Sequence, residues 1–365
     1  MRGGTDVSTP APPVKSLGDG IPAPGGGGEE GRTFQWFTPR RRRASLYEDV
    51  TIDTQPSIHR HITRGWPLSF EDGRGMWWES STALRCVDWY DFRDPGETWE
   101  RPYYQQGAGY ERQIEGALAG AAADHLFEDF SPEWVDFLRA HLQVPAFVEH
   151  GLWLASASLA RDCLSDSLTH CLALHAAMKQ RSAQAVVLYA MDLEPHLGEF
   201  PIETARERWL KDEAWQPSRR YVERLANVRD WGELIVAANA CFEPTVVTLL
   251  RRELGIRAAT AHGDTVTPVV ARAATTEWQW TRAWTVEFLR FVTEDREHGE
   301  HNRELVEGWV ARWMPDATAA ALALGAIAGG LSNTVPFESS LRSLRQTVAE
   351  VFTEAGLAGL APAAG

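Results

Sequence analysis

Long helical patterns dominate the sequence after Tyr104. Apolar residues recur there at helical spacing, and Ser131-Pro132-Glu133 has the composition of a helix N-cap and first turn. No segment of alternating β-branched residues predicts a strand. The predicted helices cover 109–127, 132–142, 145–193 with a break near 178–182, 203–211, 217–227, 231–254, 267–294 and most of 302–355. The sequence therefore predicts an all-α protein with several long core helices.

Composition divides the chain into three predicted regions. Residues 1–32 are rich in glycine and proline and carry too little apolar surface to order themselves, so we expect a disordered tail. In residues 33–102, tryptophans are frequent while proline and glycine interrupt every helical period. We expect an extended arm there that packs on another surface, either this chain's own domain or, preferably, a partner subunit. Residues 103–357 form the predicted helical domain.

The charge balance narrows the classes of partner. The net charge is −14, which argues against nucleic acid because binding it needs a basic surface. The one basic cluster, Arg40–Arg43, borders the predicted tail. A localisation signal or an RNA contact is possible for this cluster, but an arm lying on an acidic partner is favoured.

Cysteine usage and hydropathy predict a compartment. The four cysteines are scattered and form no CxxC pair, which is typical of reduced thiols in a cytosolic protein. No run approaches the roughly 18 apolar residues of a membrane span, and the first residues lack the apolar region of a signal peptide. We therefore expect a cytoplasmic protein without a membrane partner.

Candidate site residues lie on the longest predicted helices. Glu277 opens the run Glu277-Trp-Gln-Trp280, where a helical di-iron protein would present Glu-x-x-His, so a tryptophan stands in place of the imidazole. Neighbouring tryptophans favour burial of Glu277, which would then need a charged partner. Lys179 is the expected partner, although it could instead cap a helix end in solvent. The candidate set is Glu149, the stretch from Lys179 to Ser182, Asn239 or Glu243, and Glu277.

The histidines do not predict a metal site. No Glu-x-x-His occurs in the sequence. Asp295, His298 and His301 lie in a strongly polar run, which favours a solvated helix end over ligation. His59 and His61 alternate in the non-helical region, where a structural hydrogen bond is the commoner role.

Three other patterns carry no predicted chemistry. Cys171 and His175 share a helical face, but the surrounding leucines and alanines favour core packing. The run Gly25–Gly28 is not placed between a strand and a helix, so it does not predict a phosphate loop. The Gly-x-Ser-x-Gly elbow of a hydrolase is missing from the sequence.

Several runs resemble the small, or β, hydroxylase subunits of soluble di-iron multicomponent monooxygenases, nearest to the propane monooxygenase branch. The resemblance covers about residues 34–350. The runs that carry it are YEDVTIDTQP at 47–56, RGWPLSFEDG at 64–73, FRDP at 92–95 with Tyr103, FVEHG at 147–151 and GDTVTP at 263–268. The run at 64–73 is the most specific of them.

In that family, the large and small subunits share a ferritin-like helical fold and only the large subunit carries iron ligands. By the resemblance, the degenerate ligand positions of this chain are Glu149, Lys179 and Ser182, Asn239, and Glu277 and Trp280. Both imidazoles would then be lost, and a lysine would occupy a carboxylate position. The resemblance therefore implies that this chain holds no catalytic, cofactor-binding or metal-ligating residue.

The same resemblance implies a set of partners. These are an iron-bearing large (alpha) subunit, a small coupling or regulatory protein, and a reductase with FAD and a 2Fe-2S cluster. The expected assembly is of the α2β2 type, it uses NADH, and it hydroxylates propane or a similar small hydrocarbon. This chain would act as a non-catalytic scaffold.

Two other interpretations of the residues stay open at this point. One is a free-standing carboxylate-metal oxidase that uses Glu149, Glu243, Glu277 and His150. The other is a helical protein that binds a hydrophobic ligand in the degenerate pocket, which an open, dry cavity near Glu277 would favour.

Overall fold

The computed structural model describes residues 37–52 and 79–361, and the α-helices of this part are numbered in chain order. They are α1 Leu46–Thr51, α2 Glu100–Ala123, α3 Pro132–His141, α4 Pro145–Ala160, α5 Asp166–Leu197, α6 Ile202–Lys211, α7 Gln216–Leu225, α8 Trp231–Ala261, α9 Thr267–Thr293, α10 Gly299–Ala328 and α11 Phe337–Glu354. No strand occurs among the described residues, which confirms the predicted all-α class.

Four long helices form the centre of the fold. Helix α4 packs along α5, α8 packs along α9, and α5 also contacts α9. Short connections at 161–165 and 262–266 join the members of each pair. Helices α7, α10 and α11 pack against α8 from outside, so that nearly all residues at 231–249 are buried, and the side chains of Trp231 and Phe242 are fully buried.

Helix α8 departs from α-helical hydrogen bonding along most of its length. It has π-type turns over Val236–Val247 and Leu249–Ala258. Pro244 lies inside the first π stretch and lacks the N–H that an α-helix would need at that position. Because a π turn contains more residues than an α turn, side chains along α8 occupy faces that a regular helical period does not predict.

The predicted break in the 145–193 region was placed wrongly. The chain leaves the helix at residues 161–165, and α5 runs without interruption through residues 178–182. Ser165 starts α5, since its Oγ accepts a hydrogen bond from the backbone N–H of Leu168 at 3.3 Å. Two of the polar residues in this stretch, Lys179 and Arg181, are instead paired with carboxylates on neighbouring helices.

The aromatic segment at 79–99 packs on the chain's own helices. The Trp89 ring lies 5.1 Å from the Trp231 ring, and the Phe92 ring lies 6.4 Å from the Phe288 ring. This part of the predicted arm therefore packs on the chain's own helical domain, which was one of the two surfaces considered for it. The predicted disordered tail, the run at 64–73 and both His59 and His61 lie outside the described residues.

Helix α8 is long and apolar enough to cross a membrane, which the sequence did not lead us to expect. In this fold, 94% of its most apolar 18-residue window is buried against other helices. Burial of that kind is typical of the core helix of a globular protein.

Gly151 sets the distance between α4 and α7. A Cβ atom at Gly151 would lie 1.9 Å from Cγ1 of Val222, which is buried and β-branched and therefore has little rotamer freedom. We expect Gly151→Ala to destabilise the fold by about 1–3 kcal/mol through overpacking.

The matched control for this prediction is Gly116→Ala. Gly116 lies on the exposed face of α2 with no atom within 4 Å of its Cβ direction. There the substitution should stabilise by about 0.5–1 kcal/mol, because alanine favours the helix. Urea unfolding of the two variants measures both values, and a stabilised Gly151→Ala variant would contradict the tight α4–α7 contact.

Candidate functional site

A charged cluster lies in the interior between α4, α5 and α8. Its centre is Glu243, whose side chain has no exposed surface. Nε2 of His175 lies 2.5 Å from Oε1 of Glu243, and Nζ of Lys179 donates to Oε2 at 2.6 Å. His175 and Lys179 are four residues apart on α5, so both project from one helical face towards the same carboxylate.

A second carboxylate extends the cluster. Nζ of Lys179 also lies 3.6 Å from Oε2 of Glu149 on α4. Oε1 of Glu149 accepts a hydrogen bond from Nη2 of Arg251 on α8 at 2.5 Å. Arg251, Glu149, Lys179 and Glu243 thus form an alternating chain of two cations and two anions. Such pairing offsets the cost of burying each charge.

The protonation states follow from this arrangement. Burial by itself would raise the pKa of Glu243, but Lys179 and His175 hold it well below its usual range. Burial lowers the pKa of His175, and Glu243 only partly opposes this effect. The imidazole is therefore neutral. With its proton on Nε2 it donates to Glu243, and its Nδ1, 3.1 Å from Oγ of Ser156, accepts from that hydroxyl.

The lowered pKa of Glu243 predicts a pH dependence. A carboxylate whose folded-state pKa lies below its ordinary value of 4.5 stabilises the fold fully above that value. This contribution is lost as the pH falls below 4.5. We expect the stability of Glu243→Gln, measured by urea unfolding between about pH 5 and pH 3, to fall less steeply than that of the parent. The control is Glu207→Gln at an exposed glutamate, which should keep the slope of the parent. If stability fell with pH equally steeply in Glu243→Gln and in the parent, the lowered pKa of Glu243 would be contradicted.

Glu277 has a different partner from the one expected. Its two oxygens accept hydrogen bonds from Nε and Nη2 of Arg181 at 2.9 and 2.8 Å, which is a bidentate pair. Nη1 of Arg181 also binds Glu111 on α2 at 3.3 Å. Burial of Glu277 is confirmed, but the expected Lys179–Glu277 pair is wrong, because Lys179 points to α8 and Arg181 to α9 from different faces of α5.

Trp280 anchors the aromatic segment. Its Nε1 donates to Oδ2 of Asp94 at 2.8 Å, and Asp94 also accepts from the backbone N–H groups of Gly96 and Thr98, both at 2.9 Å. A Cβ atom at Gly96 would lie 2.8 Å from the Trp280 ring. Trp280, which was predicted to stand in the place of a histidine, therefore makes a structural contact between α9 and the segment at 79–99. The FRDP run contained Asp94, but its spacing alone gave no sign of this partner.

The two remaining candidates lie at the edge of the cluster. Nδ2 of Asn239 donates to Oγ1 of Thr285 at 3.2 Å. Of the two α8 positions considered, Glu243 rather than Asn239 meets Lys179. Ser182 is buried, and its Oγ has no hydrogen-bond partner among the described residues.

His175 was assigned to core packing, and this interpretation was incomplete. The side chain is fully buried as expected, but its Nε2 contacts Glu243 at the centre of the cluster. The spacing of His175 and Lys179, four residues apart on one helix, was the signal that could have revealed it. Cys171 does pack in the hydrophobic core.

The donor set does not fit a pair of iron ions. Both carboxylates of the cluster already bind cations, namely Lys179 and Arg251, and their negative charge is neutralised. Across residues 37–52 and 79–361, no group of three or more His, Cys, Asp or Glu side chains is arranged to hold a metal ion. Iron would have to displace a buried ammonium group and leave it without a counter-charge.

The polar run near residue 295 holds the aromatic segment. Oδ2 of Asp295 accepts from the backbone N–H of Val87 at 2.8 Å, and Nε2 of His301 lies 3.1 Å from the carbonyl oxygen of Ala83. These side chains contact backbone groups at the surface, which agrees with the solvated helix end that the sequence favours.

Residues 66–296 match the model of the Methane/Phenol/Alkene Hydroxylase family. The small subunit of the hydroxylase component of propane 2-monooxygenase from Rhodococcus jostii (strain RHA1) is 36% identical over 294 residues, which is 80% of each chain. The beta chain of methane monooxygenase component A from Methylosinus trichosporium is 30% identical over 299 residues, or 79% of this chain and 76% of that one.

Solved structures of similar fold come from two related enzymes. One is a xenon-pressurised phenol hydroxylase from Pseudomonas sp. OX1, with a TM-score of 0.71 and 20% identity over 86% of this chain and 90% of the other. The other is a toluene 4-monooxygenase with toluene in its resting active site, with a TM-score of 0.68 and 21% identity over 78% of this chain and 94% of the other. Their likeness confirms the predicted ferritin-like helical fold.

Proposed function

Because this chain belongs to the methane, phenol and alkene hydroxylase family, we propose that it is the small, non-catalytic subunit of the hydroxylase component of a multicomponent monooxygenase. Its relatives of 30% identity or more are named as small subunits or beta chains of hydroxylase components. In this proposal the di-iron centre belongs to a larger partner chain, and the assembly is of the α2β2 type in the cytoplasm.

The observation that carries the proposal is the charge-neutralised centre of the bundle. Lys179 and Arg251 bind two buried carboxylates: Glu149, which is a predicted degenerate ligand position, and Glu243, which lies four residues beyond the predicted position Asn239. A ferritin-like metalloprotein would direct its interior carboxylates towards iron. A chain with such an interior contributes to an oxygenase by packing against the subunit that holds the metal. Iron ligands need rigid support to within about 0.5 Å, so a scaffold can affect activity without touching the substrate.

The propane-named relatives suggest the reaction. We propose that the complex hydroxylates propane or a similar small hydrocarbon with O2 and electrons from NADH. A reductase with FAD and a 2Fe-2S cluster would deliver the electrons, and a coupling protein would complete the system. The substrate pocket would lie in the large subunit, so substrate preference is a property of that chain.

The interface with the large subunit should be of the obligate class, above about 2,000 Å². Residues 41–43 of the basic cluster Arg40–Arg43 are exposed, which suits the proposed contact with an acidic surface. Arg40 itself lies 3.8 Å from Glu287 on α9, so the cluster starts beside the helical domain. The proposal extends to the 33–102 region as a contact surface for the large subunit.

The free-standing oxidase finds no support in the geometry. It requires Glu149, Glu243, Glu277 and His150 to converge on one metal site. Glu277 is paired with Arg181, and His150 lies exposed on α4. The relatives described above are named as subunits of multicomponent monooxygenases. Their names support neither a free-standing oxidase nor a protein whose whole function is to bind a ligand.

The direct test compares the metal content of two samples. The chain expressed alone should contain no stoichiometric iron, and the complex with its large subunit should contain iron and consume O2 with NADH and the reductase. Elemental analysis and O2 uptake measure both. Two irons per copy of the chain expressed alone would overturn the proposal.

Restoring one lost histidine should not restore a metal site. We expect Trp280→His, expressed alone, to bind iron only sub-stoichiometrically, because Lys179 and Arg251 still occupy the carboxylates. The variant should also loosen the segment at 79–99 by removing the bond to Asp94. Elemental analysis is the measurement, and two bound irons in this variant would show that the ligand positions have been misassigned.

A further inference from the structure

A cavity of about 110 Å³ lies beside the charged cluster, between α4, α5, α8 and α9. Most of its wall is aliphatic, and Val186, Leu250 and Val270 contribute to it. The polar groups of the wall include Glu149 and Ser182. The cavity thus has an apolar body and a few polar groups on its wall, and one of them, Ser182, takes no part in the ion pairs of the cluster.

Two buried oxygen atoms of this wall lack hydrogen bonds within the described part of the chain. They are Oγ of Ser182 and Oε2 of Glu149, and both residues are only 5% exposed. Oε2 of Glu149 has only its ion-pair contact with Lys179 at 3.6 Å, and Oγ of Ser182 has no polar contact among the described residues. A buried hydroxyl without a hydrogen bond is costly, so Ser182 favours a polar group in this cavity. A hydroxyl group suits both side chains, because it can accept from a serine and donate to a carboxylate.

The charges around the cavity and its volume limit the class of molecule that can bind there. Glu149 is already neutralised by Arg251 and Lys179, and Glu277 by Arg181, so a charged molecule would bring an uncompensated charge. An engineered cavity of about 150 Å³ accommodates benzene, so a smaller cavity suits a molecule of roughly four or five heavy atoms.

We propose that this cavity is a binding site for a small neutral aliphatic alcohol, held by Ser182 and Glu149 at its hydroxyl and by the aliphatic wall along its chain. Hydroxylation of a three-carbon hydrocarbon yields such an alcohol, so the product of the complex is the natural candidate. Only the identification of the alcohol as the reaction product rests on the proposed function. The site itself is defined by this chain's own residues.

The test is a titration of the full-length chain, labelled at valine and leucine methyl groups, with 2-propanol and separately with propane. We expect saturable NMR shifts of the Val186, Leu250 and Val270 methyls, while Val348 and Val351, which do not line the cavity, stay unchanged. The alcohol should bind more tightly than the alkane, with a dissociation constant in the millimolar range.

Ser182→Ala separates hydroxyl recognition from filling of the cavity. This variant should bind 2-propanol roughly fivefold more weakly and should bind propane with unchanged affinity. Ala185→Leu, which adds bulk to the cavity wall, should abolish the shifts from both molecules. The measurement detects binding without turnover, so its result does not depend on whether the proposed oxygenase function holds.

Three results would overturn the site. They are shifts that do not saturate, an unchanged affinity of Ser182→Ala for 2-propanol, and a crystal structure in which an ordered water bridges Ser182 and Glu149 and is not displaced by the alcohol. Propanol density with its oxygen at these two residues would support it.

Discussion

Replacing Lys179 with methionine is expected to lower the free energy of unfolding by about 3–5 kcal/mol. The substitution preserves side-chain length and apolar volume but removes the cation that binds Glu243 at 2.6 Å and approaches Glu149 at 3.6 Å. Glu243 would then be buried with His175 as its only close partner, and the pKa of His175 should rise as the imidazole takes up the missing positive charge.

Chemical denaturation of the full-length chain measures this loss, and two further variants define its cause. Lys179→Met combined with Glu243→Gln removes both charges of the pair and should recover most of the stability, since a buried pair is replaced by neutral groups. Lys211→Met is the matched control on an exposed lysine that pairs with Glu207, and it should change stability by less than about 0.5 kcal/mol. Equal losses for the single and double variants would refute the charge argument.

Replacing Asp94 with alanine is expected to cost about 3 kcal/mol or more, through three hydrogen-bond donors that lose their acceptor. These donors are Nε1 of Trp280 and the backbone N–H groups of Gly96 and Thr98. The Asp94 side chain is fully buried, so water cannot replace it without opening the contact between α9 and the segment at 79–99. Calorimetry of the variant should show a lower unfolding temperature.

Asp91→Ala is the control for this prediction, because Asp91 is an exposed acidic residue of the same segment. It should leave stability within about 0.5 kcal/mol of the parent. Limited proteolysis adds a local readout, since only Asp94→Ala should speed cleavage within residues 79–99. An Asp94→Ala variant as stable and as protease-resistant as Asp91→Ala would disprove the anchoring role.

This anchor changes how the predicted arm should be tested. A deletion of residues 34–100 would also remove Trp89 and Phe92 from the core of the helical domain. Loss of binding to the large subunit would then reflect unfolding as much as a lost interface. A shorter deletion that stops before residue 79 keeps these core contacts, and measurement of co-elution with the large subunit then tests the remaining arm.

Local patterns were sufficient for the helices whose ends carry strong signals. Ser131 and Pro132 start α3 as predicted, and Thr267 and Pro268 mark the first turn of α9. The break between α4 and α5 was misplaced, because polar residues inside a long helix look like an interruption when their buried partners are unknown. The wrong partner was predicted for Glu277 for the same reason, since nothing in the local sequence shows whether Lys179 or Arg181 faces it.

The sequence by itself determined the all-α class, the family and the lack of any Glu-x-x-His motif, because each depends on residue identity and short spacing. Only the tertiary structure decided which charges meet. Glu243 rather than Asn239 reaches Lys179, because which turn of α8 lies beside Lys179 depends on how the helices pack. Trp280 reaches Asp94 across 186 positions of the chain, and contacts at that separation depend on how whole helices pack.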